Sequence, residues 1–181
     1  MDITTGFGPV IGGSNPSGCI IMANYCYLNG SIKPLDQATI SICDIGLLRG
    51  FSVFDFLRCY HGKPFLLKWH LERFKNSAQT VGLKIPLKDT EIEKIITTLL
   101  EKNKLKEATV KIFLSGGFSD DGLQYNKLKP TFFIIIKPAI QYPKKLFTDG
   151  AKLITQEHQR EKASAKTSNY LTLMASYQNK Q

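Results

Sequence analysis

The sequence predicts an α+β fold: a small unit over residues 23–140, then a linker over 141–150 and the first elements of a larger second domain over 151–181. Three observations carry this. Turn residues join apolar, β-branched runs at both ends of the first unit, the signature of paired strands. Two stretches in its middle space their apolar residues as helices do. Beyond residue 150 the chain offers one strand-like run and one helical stretch, too little to bury a core alone. With 181 residues, 43% hydrophobic and 22% charged, the composition is that of a globular protein rather than a disordered or fibrous one.

The elements follow in order. Residues 1–22 hold Gly6, Gly8, Gly12, Gly13 and Gly18 with Pro9 and Pro16, which leaves no periodicity to fold on. Gly6-x-Gly8 is followed by Ile11 where a GxGxxG phosphate loop needs glycine, so the segment reads as a flexible leader. Tyr25–Leu28 and Ser31–Pro34 flank Asn29-Gly30, a strong hairpin signal. Ala38–Cys43 reads as a further strand closed by Asp44 and Gly46. Phe51–Tyr60 is an apolar, aromatic strand that turns at His61-Gly62 into Lys63–Leu67. Leu67, Leu71, Phe74, Ala78 and Val81 recur at helical spacing up to Gly82. Asp89 or Thr90 is placed to cap a second helix whose inner face is Ile92, Ile95, Ile96, Leu99 and Leu100. Ala108–Leu114 and Thr131–Ile136 are strands, separated by the polar stretch Ser115–Lys129. Pro138 and Pro143 mark the linker, after which come the strand Ala151–Thr155, a polar loop and a helical stretch from about Asn169.

Charge and cysteine usage narrow the function classes. Lys plus Arg exceeds Asp plus Glu by 24 to 15, a net charge of +9, yet the longest basic pair is Lys144-Lys145. Basic residues so evenly scattered do not make a nucleic-acid face, and no apolar run nears the ~20 residues of a membrane helix, so neither partner is expected. Cys19, Cys26, Cys43 and Cys59 fit neither a CxxC metal pair nor a secreted disulfide framework. They read as scattered buried thiols of a reducing compartment, and a cytoplasmic location is the expectation. His61, His70 and His158 have no metal-ligand spacing.

Three stretches carry residues that chemistry would use. In His70-Leu71-Glu72-Arg73, helical spacing points His70 and Arg73 the same way. A guanidinium so held suits a phosphate or carboxylate; the plainer alternative is a solvated helix face with Arg73 paired to a nearby acid. Lys166, in the small-residue run Lys166-Thr167-Ser168-Asn169-Tyr170, sits where a Schiff-base lysine would be placed, although most lysines here are ordinary surface groups. In Arg49–Arg58 the aromatics would wall a pocket or simply fill a core.

Taken together and in order, these segments resemble one family. The run GLLRGFSVFDFLRCYHGKPFLLKWHLERFKNSA, from Gly46 to Ala78, is similar to the signature stretch of class IV (fold-type IV) pyridoxal-phosphate aminotransferases. That group includes branched-chain and D-amino-acid aminotransferases and aminodeoxychorismate lyases. YCYLNGSI resembles its first hairpin, and AKTSNYLTLMAS, from Ala165 to Ser176, its cofactor-lysine segment. The fold implied is the family's small N-terminal α/β sandwich domain plus the first elements of the larger cofactor-binding domain.

The resemblance implies roles at matching positions. Lys166 would form the Schiff base with pyridoxal 5'-phosphate and then move the proton between substrate and cofactor. Arg73 would hold the cofactor phosphate and Tyr170 the ring's phenolic oxygen, while Phe54 would lie beside the substrate. Lys111 resembles a basic substrate-side position of the lyase and branched-chain groups; Ser115-Gly116-Gly117 lacks the arginine that D-amino-acid aminotransferases and lyases commonly carry there. The implied function is amino-group transfer between an amino acid and a 2-oxo acid, with a homodimer as the implied assembly. Aminodeoxychorismate lyase activity and a shortened, non-catalytic relative are the alternatives. The family's acidic partner for the pyridine nitrogen follows the lysine segment and would lie past Gln181, so little turnover is expected of these 181 residues alone. Replacing Arg73 by alanine is expected to weaken cofactor retention far more than folding.

Overall fold

The computed structural model describes residues 25–150, 155 and 157–178. The leader expected over 1–22 lies outside the described residues, as do 151–154 of the strand expected at Ala151–Thr155. Thr155 itself carries no regular structure.

Strands β1 (Tyr25–Leu28) and β2 (Ser31–Pro34) form the hairpin read from Asn29-Gly30, whose φ values of 45° and 97° are the left-handed pair that such a two-residue turn requires. A short helix α1 (Ile45–Arg49) precedes β3 (Ser52–Tyr60) and the two-residue β4 (Lys63–Pro64). Helices α2 (Leu67–Thr80) and α3 (Asp89–Lys102) follow, then β5 (Ala108–Ser115) and β6 (Thr131–Pro138). The six strands make one sheet in the order β2-β1-β6-β5-β3-β4, with every pairing antiparallel. A single helical turn α4 (Lys145–Thr148) lies in the linker, and α5 (Leu171–Gln178) ends the described chain.

Strict alternation builds a two-layer sandwich. Val53, Leu57 and Cys59 of β3, Val110, Ile112 and Leu114 of β5, and Phe132, Ile134 and Ile136 of β6 share one buried face. Against it lie Leu71, Phe74 and Ala78 of α2 and Ile92, Ile96, Leu99 and Leu100 of α3, the stripes read from the 3.6-residue period. Asn103, just past α3, ties the helix layer to the sheet: its side chain accepts from the Tyr25 amide at 2.9 Å and donates to the Tyr25 carbonyl at 3.0 Å. The other face of the sheet carries Phe54, Phe56, Arg58, Lys111, Phe113 and Phe133, with Phe113 and Phe133 stacked at 4.5 Å.

Three local expectations fail, the smallest being the strand expected over Lys63–Leu67, which ends at Pro64 because Leu67 already begins α2. Ala38–Cys43 is not a strand but an irregular, largely exposed segment in which Ile42 is 78% exposed. What the sequence hides is Asp44, whose buried carboxylate accepts from the Gly46 amide, Ser115 Oγ and Thr131 Oγ1 and so starts α1 instead of closing a strand. Cys43 accordingly lacks the strand-like surroundings expected of it, whereas Cys26 and Cys59 are buried as read. Neither Asp89 nor Thr90 caps α3: Lys88 is the N-cap, with its amide donating to Glu91 Oε2 at 2.7 Å, and Asp89 is drawn off by an ion pair with Lys75.

Candidate functional site

Most of the candidate residues gather at β3 and its free edge. β4 pairs only with Cys59 and Tyr60, so the rest of that edge of β3 has no strand beside it. Residues 166–168 take the place. The Phe54 amide donates to the Lys166 carbonyl at 3.0 Å, the Ser168 amide donates to the Ser52 carbonyl at 3.2 Å, and Val53 and Thr167 form an antiparallel bridge. The hydroxyls of Ser52 and Ser168 are hydrogen-bonded to each other. Edge groups that would otherwise be left without partners thus fix where Lys166 stands.

On the helix-free face four of the five expected residues meet around one ring. Lys166 Nζ stands 4.5 Å and Lys111 Nζ 4.9 Å from the centre of the Phe54 ring, and the Tyr170 ring lies 5.8 Å from it. Burial, together with the nearby Lys137 and Lys166 charges, pushes the Lys111 amine below the usual lysine range, and Tyr170 only partly offsets this. Arg160 adds a further cation, with its guanidinium 5.1 Å from the centre of the Tyr170 ring.

Arg73 lies in the helix layer. Period-2 alternation turns Asp55 inward between Val53 and Leu57, where its side chain is 0% exposed. Arg73 Nε donates to Asp55 Oδ2 and Nη2 to Oδ1, both at 2.8 Å, while His70 Nδ1 lies 2.7 Å from Oδ1 and the Phe56 amide donates to the same oxygen. The acid of the plainer reading therefore exists. It uses one edge of the guanidinium; Nη1 makes no hydrogen bond among the described residues, and the Arg73 side chain stays 52% exposed. The Asp55 hydrogen bonds raise the Arg73 pKa further, so the group is a permanent cation.

This geometry corrects one expectation. Arg73 is not a dispensable solvent-side residue for folding, because its fork compensates a carboxylate sealed in the core. Asp55 itself was missed as a site residue, although its signal was present: an acid in step with Val53, Leu57 and Cys59 on the buried face of an apolar strand. Ser77, Ser52 and Ser168 were missed with no such signal, since their contacts join segments 89 and 116 residues apart.

An open cleft of about 700 Å³ adjoins the cluster, bounded by Arg49, Ser52, Thr80, Arg160, Thr167 and Tyr170. Tyr170 lines this cleft, whereas Lys166 and Arg73 are not among its lining residues. Among the described residues no cluster of three or more His, Cys, Asp or Glu is arranged for a metal, and no helix is long and apolar enough to cross a membrane.

Residues 52–180 match the family described as Amino-transferase class IV. The chain belongs to the class IV aminotransferase family. It is 38% identical over 130 residues to a Methanocaldococcus jannaschii protein named as a branched-chain-amino-acid aminotransferase, a match covering 71% of this chain and 44% of that protein. It is also 36% identical over 98 residues to an aminodeoxychorismate lyase of Bacillus subtilis, covering 53% of this chain and 33% of the lyase. Among solved structures it resembles the T.th. branched-chain amino acid aminotransferase with pyridoxamine 5'-phosphate, at a TM-score of 0.59 and 26% identity over 66% of this chain and 41% of that one. The class IV chain thus spans less than half the length of these relatives, and its sandwich corresponds to their N-terminal domain. Pyridoxal phosphate is the cofactor of the class IV family.

Proposed function

We propose that the chain is the small domain (23–140) and the beginning of the large domain (151–181) of a pyridoxal-phosphate enzyme that transfers an amino group between an amino acid and a 2-oxo acid, with Lys166 as its reactive amine. The observation that carries this is the docking of residues 166–168 on the free edge of β3, which sets Lys166 Nζ and Tyr170 beside Phe54 and puts the Lys166 backbone against α2, the helix of Arg73.

The donor set fits the cofactor. A primary amine matches its aldehyde, a guanidinium whose Nη1 makes no hydrogen bond among the described residues matches its phosphate, and a phenol matches its ring oxygen. When bound, the cofactor supplies the electron sink that stabilises negative charge at the substrate α-carbon. The residues of this chain do the rest. Lys166 Nζ would hold the cofactor at its aldehyde carbon and, as a free amine, would carry a proton between the substrate α-carbon and that carbon. Arg73 holds the phosphate end and, with Asp55 behind it, stays charged at every working pH. Phe54 presents a flat apolar wall, and Lys111 offers a partly desolvated cation to the substrate carboxylate, where a charge-assisted hydrogen bond is strong. A cytoplasmic homodimer acting on amino and 2-oxo acids is part of the same proposal.

Incubating the protein with pyridoxal phosphate, reducing with borohydride and mapping the peptides tests the assignment. The adduct is expected on Lys166 and is lost in Lys166→Ala; an adduct confined to other lysines overturns it. The likeness to an aminodeoxychorismate lyase favours one second reading, pyruvate elimination with the same lysine. Pyruvate release from aminodeoxychorismate without amino-group transfer to a 2-oxo acid would establish that reading instead.

A further inference from the structure

The two groups that the proposed function needs at opposite ends of the cofactor, the Lys166 amine and the Arg73 guanidinium, are tied together by one side chain. Ser77 is 0% exposed on the inner stripe of α2. Its Oγ donates to the Arg73 carbonyl at 2.9 Å, one turn back along the helix, and accepts from the Lys166 amide at 3.0 Å. One hydroxyl therefore donates to one functional residue and accepts from the other.

We propose that Ser77 is a positioning residue that sets the spacing between Lys166 and Arg73, so that a ligand carrying an aldehyde at one end and a phosphate at the other is gripped by both at once. This rests on the proposed function. The physical argument is one of effective concentration. A ligand already bonded through Lys166 gains from its phosphate only if Arg73 stands at the right distance and is held there. Elsewhere the lysine segment is fastened to β3 through Phe54 and Ser52, which fixes it along the strand but not toward the helix layer. Ser77 supplies the contact in that direction: the Lys166 amide is the one group of residues 166–168 hydrogen-bonded to α2 among the described residues. Removing the hydroxyl leaves a half-buried amide without its partner, and the segment is expected to shift toward solvent to recover one.

The test compares pyridoxal phosphate with pyridoxal, which lacks the phosphate. Dissociation constants for both are measured by the imine absorbance, and amide hydrogen exchange at Lys166 is followed in the cofactor-free protein. In Ser77→Ala the preference for pyridoxal phosphate over pyridoxal is expected to fall about tenfold, the worth of one lost hydrogen bond, with pyridoxal affinity itself changed less than about twofold. Exchange at Lys166 is expected to quicken by a similar factor. A purely structural role would weaken both ligands equally and leave their ratio intact, and that result, like an unchanged ratio with unchanged exchange, overturns the proposal. Should Ser77→Ala fail to fold, Ser77→Cys keeps a side chain in the space while replacing a strong acceptor with a weak one, and the same loss of preference is required of it. A wild-type protein that binds both compounds equally, or forms no adduct at Lys166, sinks the proposed function and this inference with it. A wild-type preference that survives in Ser77→Ala sinks the inference alone.

Discussion

The sandwich of residues 25–138 and the segment 157–178 are held by different means. In the first, two amphipathic helices and a six-stranded sheet share one continuous apolar core, with Phe74, Ile96, Leu99, Val110, Ile134 and Ile136 wholly buried. In the second, the apolar residues Leu171, Leu173 and Met174 are 76%, 50% and 42% exposed, and Ala165 is the one buried side chain among its described residues. The sandwich is stabilised by burial. The segment is stabilised by borrowing, through the backbone bonds of residues 166–168 to β3 and α2. The candidate site lies at that junction, so its geometry depends on a robust part and a weak part at once.

The sharpest way to break the comparison is to make matched truncations on each side. Phe132→Ala removes a ring packed against Tyr27 and Phe74 and is expected to cost about 3–5 kcal/mol, enough to unfold much of the protein. Leu171→Ala is expected to change stability by less than about 0.5 kcal/mol. Urea titration followed by circular dichroism reads both. If the two variants behaved alike, the segment would be an integral part of the core.

The next largest effect is at the site itself. Arg73→Ala leaves Asp55 in the core with His70 and one amide as its remaining partners, and is expected to destabilise the fold by about 3 kcal/mol. Asp55→Asn in the same chain removes the charge that needed compensation and is expected to restore a large part of that loss. The double-mutant cycle checks this: additive losses would show that Asp55 and Arg73 do not act as a pair. Cofactor affinity is expected to stay low in both, since neither variant restores the guanidinium.

How far the sequence could be read follows the same division. Where one face of an element is buried, periodicity reports it: β1, β2, β3, β5 and β6 and the inner stripes of α2 and α3 stand where alternation and helical spacing put them. Ala38–Cys43 alternates just as well but pairs with no strand, and the buried acceptor Asp44 decides its course through Ser115 and Thr131, far along the chain. Resemblance located Lys166, Tyr170, Phe54, Lys111 and Arg73, and four of these meet at one ring. It located residues rather than couplings. Asp55 was legible as an acid out of place in a core strand, whereas Ser77 looks like any small residue of a packed helix until the chain returns to it 89 residues later.

The smallest effect separates the two regions by pH. Cys59, on the inward face of β3 beneath the helices, is 0% exposed, and burial first, with Glu107 nearby, pushes its thiol up to about 11 from an ordinary value of 9.0. In the unfolded chain the thiol loses its proton near the ordinary value, so between about pH 9 and 11 the folded state holds more protons than the unfolded one. Stability is therefore complete below that window and declines as pH rises through it. Cys59→Ala is expected to flatten the decline while lowering stability at neutral pH by about 1 kcal/mol for the lost packing. Cys43, partly exposed and outside the core, is expected to react with iodoacetamide in the native protein at about pH 8 while Cys59 reacts only after unfolding. Because Cys59 shares its strand with the edge that receives Lys166, faster labelling of Cys59 in the Ser77 variants would show that the sandwich loosens when the segment is released. Unchanged labelling would show that β3 keeps its place with or without its borrowed neighbour.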